Sequence, residues 1–497
     1  MSTSEDTSKL ELQRVQKRDQ LIAMGVDPYG LRYDNVESAH SVKARYVDDD
    51  DSQKARCAGR IVLLRDIGKL IFMTLRDVTG TIQIGLSKKM IANQWDLAKL
   101  LELGDTIGCQ GQLGKTRTGE ITIWGEESGL TFLSKCLSQP PEKFHGLSDV
   151  DQRYRQRYVD LWANPEVMER FKTRSGIINT IREYLTDRDF LEVETPMMQS
   201  IAGGAAAKPF VTHHNSLDLD LFLRISPELF LKRLLVGGLE RVFEINRSFR
   251  NEGLSRRHNP EFTMIELYQA YGDYRSMMDL TEEMVCQCAE KYSGGLQIEY
   301  GDKAIDMSRP WRRATYADLL KEHAGCDIED LVAVRAKAKS LGIEEADMDD
   351  AVVINEVFEA TVEEHLINPT FVCDYPAALC PLTRRKVDNP AIAERFELFV
   401  SSMELANAYT ELNDPAIQEE NFKRQLRGQE DTMATMDTDY VDALKYGMPP
   451  AGGLGIGIDR LVMILTNAST IRDVVLFPLL KPKKVQADVQ DDEAASS

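Results

Sequence analysis

The stretch "FRNEGLSRRHNPEFTMIELYQAY", Phe249 to Tyr271, decides the fold. From Phe262 onward, Phe262, Met264, Glu266 and Tyr268 share one parity, and Thr263, Ile265 and Leu267 share the other. That is the period of a β-strand. One face carries an aromatic ring, a carboxylate and a phenol where a plain core strand would carry aliphatics. An acid buried on such a strand without a cationic partner is costly, so Glu266 marks a site. Upstream, "ERVFEINRSFRNEG" reads as a second strand ending at Arg250. Joined by the loop Glu252–Asn259, the two strands predict an antiparallel hairpin. Arg250 would project at its end, with a guanidinium fork able to clamp a phosphate and a carboxylate together. Phe262 is placed to stack on a flat ring, and His258 to contact phosphate. The plainer alternative is a hairpin with a salt-bridged surface.

Two further segments carry chemistry. In "RFELFVSSMELANAYTELND" (Arg395–Asp414), Ser401-Ser402 predicts a turn, which sets Glu397 and Glu404 facing each other across a second hairpin. Paired carboxylates suit a hard divalent ion such as Mg²⁺ bridging to phosphates. Asn407, Tyr409 and Glu411 share a strand face, but Glu404 has the opposite parity, so a bulge or bend is required. A solvated acidic edge strand is the alternative. In "PPAGGLGIGIDRLVMILTN" (Pro449–Asn467), glycines 453, 455 and 457 lead into a helix near Asp459 with Arg460 in its first turn. The spacing is neither a Walker loop nor a Rossmann fingerprint. It suits close approach to a nucleotide, with Arg460 on phosphate. A tightly packed strand–helix join would explain the glycines but not Arg460.

At 497 residues the chain exceeds one ordinary core, so two or three domains are expected. A content of 43% hydrophobic and 28% charged residues excludes disorder. The sequence has no membrane-spanning run and no signal-type segment, which points to the cytoplasm. The eight cysteines are scattered, with no CxxC, so free thiols and no zinc are expected. A net charge of −20 argues against non-specific nucleic-acid binding. A local basic groove can still hold a specific RNA, because charge is screened over about 10 Å.

Along the chain, residues 5–24 read as an amphipathic helix. Residues 55–127 read as five short strands, with a helix at Met90–Glu102 between the third and fourth, which suits a small closed barrel of the OB type. Such barrels bind single-stranded nucleic acid on their middle strands, where Phe72 and Gln83 lie. "SQPPEKFHG" reads as a linker. A helical stripe follows at Ile177, Ile178, Ile181 and Leu185, then a strand ending at Pro196. The expected organisation is a helix plus barrel at 1–140, a linker at 141–150 and a catalytic domain at 151–484 with a helical insertion near 327–364. A disordered acidic tail is expected at 485–497.

With these segments in view, "FRNEG…RHNPEF" resembles motif 2 of the class II aminoacyl-tRNA synthetases, and "GLGIGIDRLVMIL" resembles motif 3. "FKTRSGIINTIREYLTDRDFLEVETPMM" resembles motif 1, which in that class builds a homodimer interface. The barrel resembles the anticodon-binding domain of the subclass handling lysine, aspartate and asparagine. "GGAAAKPFVTHHNSLDLDLFLRISPELFLKR" and "NAYTELND" are most similar to its lysine-handling members. The resemblance runs from about residue 55 to 480. It implies an α+β multidomain protein in which an OB-fold barrel precedes an antiparallel sheet flanked by helices. It implies L-lysine, ATP and tRNA(Lys) as substrates, with Mg²⁺ as cofactor. Carried over residue by residue, Glu228 and the Gly204 carbonyl would take the α-ammonium, and Arg250 and Asn407 the carboxylate. Glu411 and Tyr268 would take the ε-ammonium, with Glu266 adding negative potential and Tyr409 packing the stem. Phe262 would stack adenine. Glu252 and Asn259 would contact base or ribose, and His258 and Arg460 the β- and γ-phosphates. Glu397 and Glu404 would hold Mg²⁺, with Glu404 also in the ATP site, and Phe72, Gln83 and Glu120 would read the anticodon. The long lysine-rich N-terminal extension of animal relatives is absent, as expected of a bacterial-type enzyme.

Two rivals follow from the same residues. The acceptor could be a protein lysine or a second nucleotide, although relatives that lysylate protein lack the barrel. The chain could instead be an RNA-binding regulator with a dead catalytic domain, which would not need every expected catalytic position filled.

Overall fold

The computed structural model describes residues 4–141, 146–204, 207–344, 346, 348–426 and 436–482. Residues 142–145 of the expected linker and the acidic tail at 485–497 lie outside the described residues. The chain divides into two compact units, Met1–Val150 and Asp151–Ser497.

The first unit opens with a helix at Ser4–Ala23, followed by a closed five-stranded barrel. Its strands are Lys54–Asp66, Leu70–Arg76, Thr81–Ser87, Thr106–Lys115 and Ile121–Ser134. Alternation decides the two faces. Ile71, Met73, Leu75, Ile82, Ile84 and Leu86 fill the interior, while Phe72 and Gln83 stay half-buried outside. The helix between the third and fourth strands is shorter than expected. Only Trp95–Lys99 is α-helical, after a 3₁₀ turn at Ala92–Gln94.

The second unit is built on an eight-stranded sheet. Its order is Arg312–Thr315, Thr370–Pro376, Ile392–Val400, Met403–Thr410, Ala451–Gly457, Glu261–Ala270, Arg241–Phe249, Leu191–Glu192. The six central strands pair antiparallel, but both edge strands pair parallel to their neighbours. The expected strand ending at Pro196 is only Leu191–Glu192.

The two faces of this sheet differ in kind. Ile245, Ile265, Ile456, Ala406 and Leu398 form a continuous apolar row across five strands. Helices Pro165–Thr186, Tyr274–Tyr292 and Ile458–Leu465 contribute to the same core. Truncating a fully buried member such as Ile265 to Ala would cost about 2–5 kcal/mol. Asp273 starts the Tyr274–Tyr292 helix with a capping box, accepting from the Ser276 amide while Ser276 Oγ accepts from the Asp273 amide. The opposite row reads Glu244, Glu266, Gly455, Asn407, Glu397 across the same five strands. One face is scaffold, and the other carries the polar groups.

Candidate active site

The glycine strand forms the floor of this polar face. Gly453 lies between Tyr268 and Tyr409, and Gly455 between Glu266 and Asn407. With no side chains in the middle strand, a trough opens between two walls of polar groups. A Cβ on Gly453 would overlap the Glu411 carboxylate and come within 2.5 Å of the Tyr268 ring. The alternating glycines therefore make room for the acid and the phenol, a duty the sequence alone assigned to nucleotide approach.

Around the trough, Glu228, Glu266 and Glu411 are all buried. Ser226 Oγ donates to Glu266 Oε1 at 2.8 Å, and Tyr268 OH to Glu266 Oε2 at 3.2 Å. Gly204 approaches Ser226 and Glu228 so closely that a Cβ there would meet both at 3.1–3.3 Å, and its φ of +87° favours glycine. Burial, then the Glu228 charge, pushes the Glu266 carboxyl up to about 8. Burial raises Glu411 as well. Sequence reasoning missed Lys232. Its buried ammonium lies 2.6 Å from Glu228 Oε1 and also pairs with Glu411 Oε2. The signal was available as the i, i+4 pair Glu228/Lys232 on the helix Glu228–Val236.

Arg250 leaves the hairpin where expected, its guanidinium carbon 5.0 Å from the Phe262 ring centroid. Its Nε is buried without a hydrogen-bond partner. Such a donor is costly to leave unmade and suits an incoming acceptor. Asn259 is buried and donates to the Glu261 carbonyl at 2.6 Å, closing the loop on itself, while Glu252 is exposed.

Arg460 is aimed by its neighbour. Asp459 accepts from Arg174 at 2.6 Å and from the Thr263 amide at 2.7 Å, which pins the helix start to the sheet. Arg460 Nη1 then reaches the Glu404 carbonyl at 2.6 Å and Glu404 Oε2 at 3.3 Å, and Nη2 lies 3.1 Å from His258 Nε2. Burial, then the Arg460 charge, lowers the His258 pKa, which keeps the imidazole neutral as an acceptor for that arginine.

Glu397 and Glu404 do come together, but not by facing across the hairpin. Glu397 pairs with Asn407, and Phe399 with Glu404. A register shift after Leu398 supplies the bulge that the parity conflict demanded. Ser401 and Ser402 form the turn, both with positive φ, as a two-residue hairpin loop requires. Both acids line a cavity of about 310 Å³ together with Glu359 and Glu363. These two come from the expected insertion, on the helix Asp350–Thr361 and the turn after it. Glu397 accepts from Tyr375 OH at 2.8 Å and pairs with Arg395, a second group the sequence reading missed. Burial, followed by Glu359, Glu397 and Glu404, pushes Glu363 up to about 7. Oxygen-only donors with uncompensated negative charge fit Mg²⁺, which binds through one or two carboxylates plus phosphate oxygens. Among the described residues, no three His, Cys, Asp or Glu side chains are set to hold a metal by themselves. All eight cysteines are free.

On the barrel, Phe72 pairs with Gly85, and Gly85 with Trp124. The Phe72 and Trp124 rings meet edge-on at 5.7 Å, and Trp124 covers Gly85 so tightly that a Cβ there would lie 2.7 Å from it. Thr122 donates to Gln83 at 2.8 Å. Glu120 is exposed, 3.4 Å from Lys43. Trp124 adds a ring the sequence reading did not single out.

The family model of class II tRNA synthetases (D, K and N) matches residues 149–481, and that of the OB-fold nucleic acid binding domain matches residues 55–127. The lysine--tRNA ligase of Carboxydothermus hydrogenoformans is 51% identical over 96% of this chain and 99% of its own length. That of Pelotomaculum thermopropionicum is 50% identical over 97% and 96%. That of Bacillus thuringiensis is 47% identical over 95% and 97%.

Proposed function

This chain belongs to the class II tRNA synthetases of the D, K and N group, and on that premise we propose that it activates L-lysine with ATP and transfers it to tRNA(Lys). The observation that carries the choice of amino acid is the buried acid set Glu228, Glu266 and Glu411 around one trough. Lys232 is one cation against three acids, and a ligand with two ammonium groups complements the remainder, since unpaired buried charge is strongly destabilising. An analogue without the ε-amino group leaves an acid unpaired, which costs up to about 10⁴-fold in rate.

Glu228 and the Gly204 carbonyl take the α-ammonium, Glu411 and Tyr268 the ε-ammonium, and Tyr409 packs the stem. Arg250, with Asn407, holds the lysine carboxylate beside the ATP α-phosphate, so catalysis is chiefly orientation. The carboxylate is already ionised and attacks without a general base. Phe262 stacks the adenine, and Glu252 and Asn259 border the base and ribose. Arg460, with neutral His258 as its acceptor, faces the β- and γ-phosphates. Glu397 and Glu404 would hold Mg²⁺, which neutralises charge on the departing pyrophosphate when bound. The barrel, matched to a nucleic-acid-binding family, supports RNA as acceptor, with Phe72, Gln83, Glu120 and Trp124 on the anticodon side. The protein acts in the cytoplasm as a homodimer through residues 171–198. Among the described residues no helix is long and apolar enough to cross a membrane.

ATP–pyrophosphate exchange against all twenty amino acids, followed by charging of purified tRNA, tests the reading. Exchange with lysine alone is expected. Preference for any other amino acid overturns it.

A further inference from the structure

Among the described residues, Lys232 is the one buried cation paired with two of the pocket's acids. Its ammonium, wholly removed from solvent, lies 2.6 Å from Glu228 Oε1 and pairs with Glu411 Oε2. It takes one oxygen of each carboxylate. Glu411 Oε1 is buried with no hydrogen-bond partner. Tyr440, whose hydroxyl is also buried and unpartnered, contributes no charge at neutral pH. Glu266 completes the set through Ser226 and Tyr268. Once bound lysine displaces the proton that Glu266 holds in the empty pocket, three carboxylates and one ammonium leave two net negative charges, the number of ammonium groups on free lysine.

We infer that Lys232 is a specificity-determining positioning residue, an internal counter-ion that holds the Glu228 and Glu411 carboxylates in place as acceptors and sets the pocket's charge to match an amino acid with two ammonium groups. This rests on the lysine-activating reading above. Without Lys232, three buried acids would lie together, and like charges so placed cannot all ionise. A proton would settle on Glu411 or its neighbours. A protonated Glu411 no longer distinguishes an ε-ammonium from a methyl group, so the selectivity of the pocket would fall while its shape persists.

The test compares lysine with norleucine, which lacks the ε-ammonium, in ATP–pyrophosphate exchange by the full-length protein. The ratio of their kcat/KM values is independent of the folded fraction, so a folding defect cannot move it. In Lys232→Met the ratio is expected to fall about 100-fold, the scale of a broken buried ion pair. Adding Glu266→Gln removes the excess charge, and the ratio is expected to recover about tenfold, a coupling that independent sites would not show. Lys232→Gln, which keeps hydrogen bonds but no charge, should behave like Lys232→Met. A wild-type ratio in either variant, or strict additivity in the double variant, overturns the inference. So does failure of both single variants to fold, which would make the pair purely structural. If the wild-type protein itself does not prefer lysine, the underlying reading falls instead.

Discussion

The second unit holds two clusters of acids, and they are built differently. Around the glycine-floored trough, Glu228, Glu266 and Glu411 are buried and held by an internal lysine, a serine and a tyrosine. Glu359, Glu363, Glu397 and Glu404 line a separate cavity, where Arg395 pairs with Glu397 and Arg460 with Glu404. The first arrangement desolvates its charges, which suits an organic cation recognised by count and position. The second leaves oxygens converging on space, which suits a hydrated metal ion that keeps some of its water. Burial, more than acid content, separates an ammonium site from a metal site.

Arg250→Ala removes the cation proposed to serve both reactants and is expected to have the largest effect. Exchange should fall about 10³-fold or more, while binding of tRNA by filter retention stays within about twofold. Survival of exchange would remove Arg250 from its role.

Glu411→Gln should act on one cluster only. The KM for lysine is expected to rise about 100-fold with the KM for ATP unchanged. A parallel rise in both would mean that the two clusters are not separate sites.

The pH dependence sharpens the contrast. Glu266 has its folded pKa raised from 4.5 to about 8, so it holds a proton in the empty pocket at neutral pH. The lysine-free fold should therefore lose stability as pH rises between these values. Lysine affinity should rise over the upper part of that window and level off beyond about 8, by up to tenfold per pH unit for each proton displaced. Titration calorimetry across this range checks the sign, and a flat profile would contradict it.

Glu363→Gln tests the open cluster. Mg²⁺ needed for half-maximal exchange is expected to rise about tenfold or less, with lysine affinity unmoved. The smallest effect on chemistry is expected from Trp124→Ala. The KM for tRNA should rise about tenfold, the scale of one lost stacking contact, and exchange should be unchanged.

Much of this site was legible along the chain because strands write their faces with period two. The parity of Phe262, Met264, Glu266 and Tyr268 placed the polar face, and the conflict at Glu404 announced the bulge later found beside Leu398. Arg250 and Arg460 stood out because each follows a strand end or opens a helix. Three things were hidden. The duty of Gly453 was misassigned, since only the neighbouring strands reveal whose side chain occupies the space above a glycine. Lys232 reads as an ordinary helical lysine until Glu411, far away in sequence, is folded against it. Glu359 and Glu363 lay in a segment whose helical pattern says nothing of where it docks.

The sequence by itself determined the central strands, the turn at Ser401-Ser402, the barrel and the family, because local periodicity and motif spacing are carried by neighbouring residues. Which charges meet, and therefore how many remain uncompensated in each cluster, was decided only by the tertiary structure. Coulomb energy depends on distance and burial, and neither is a property of a chain until it is folded.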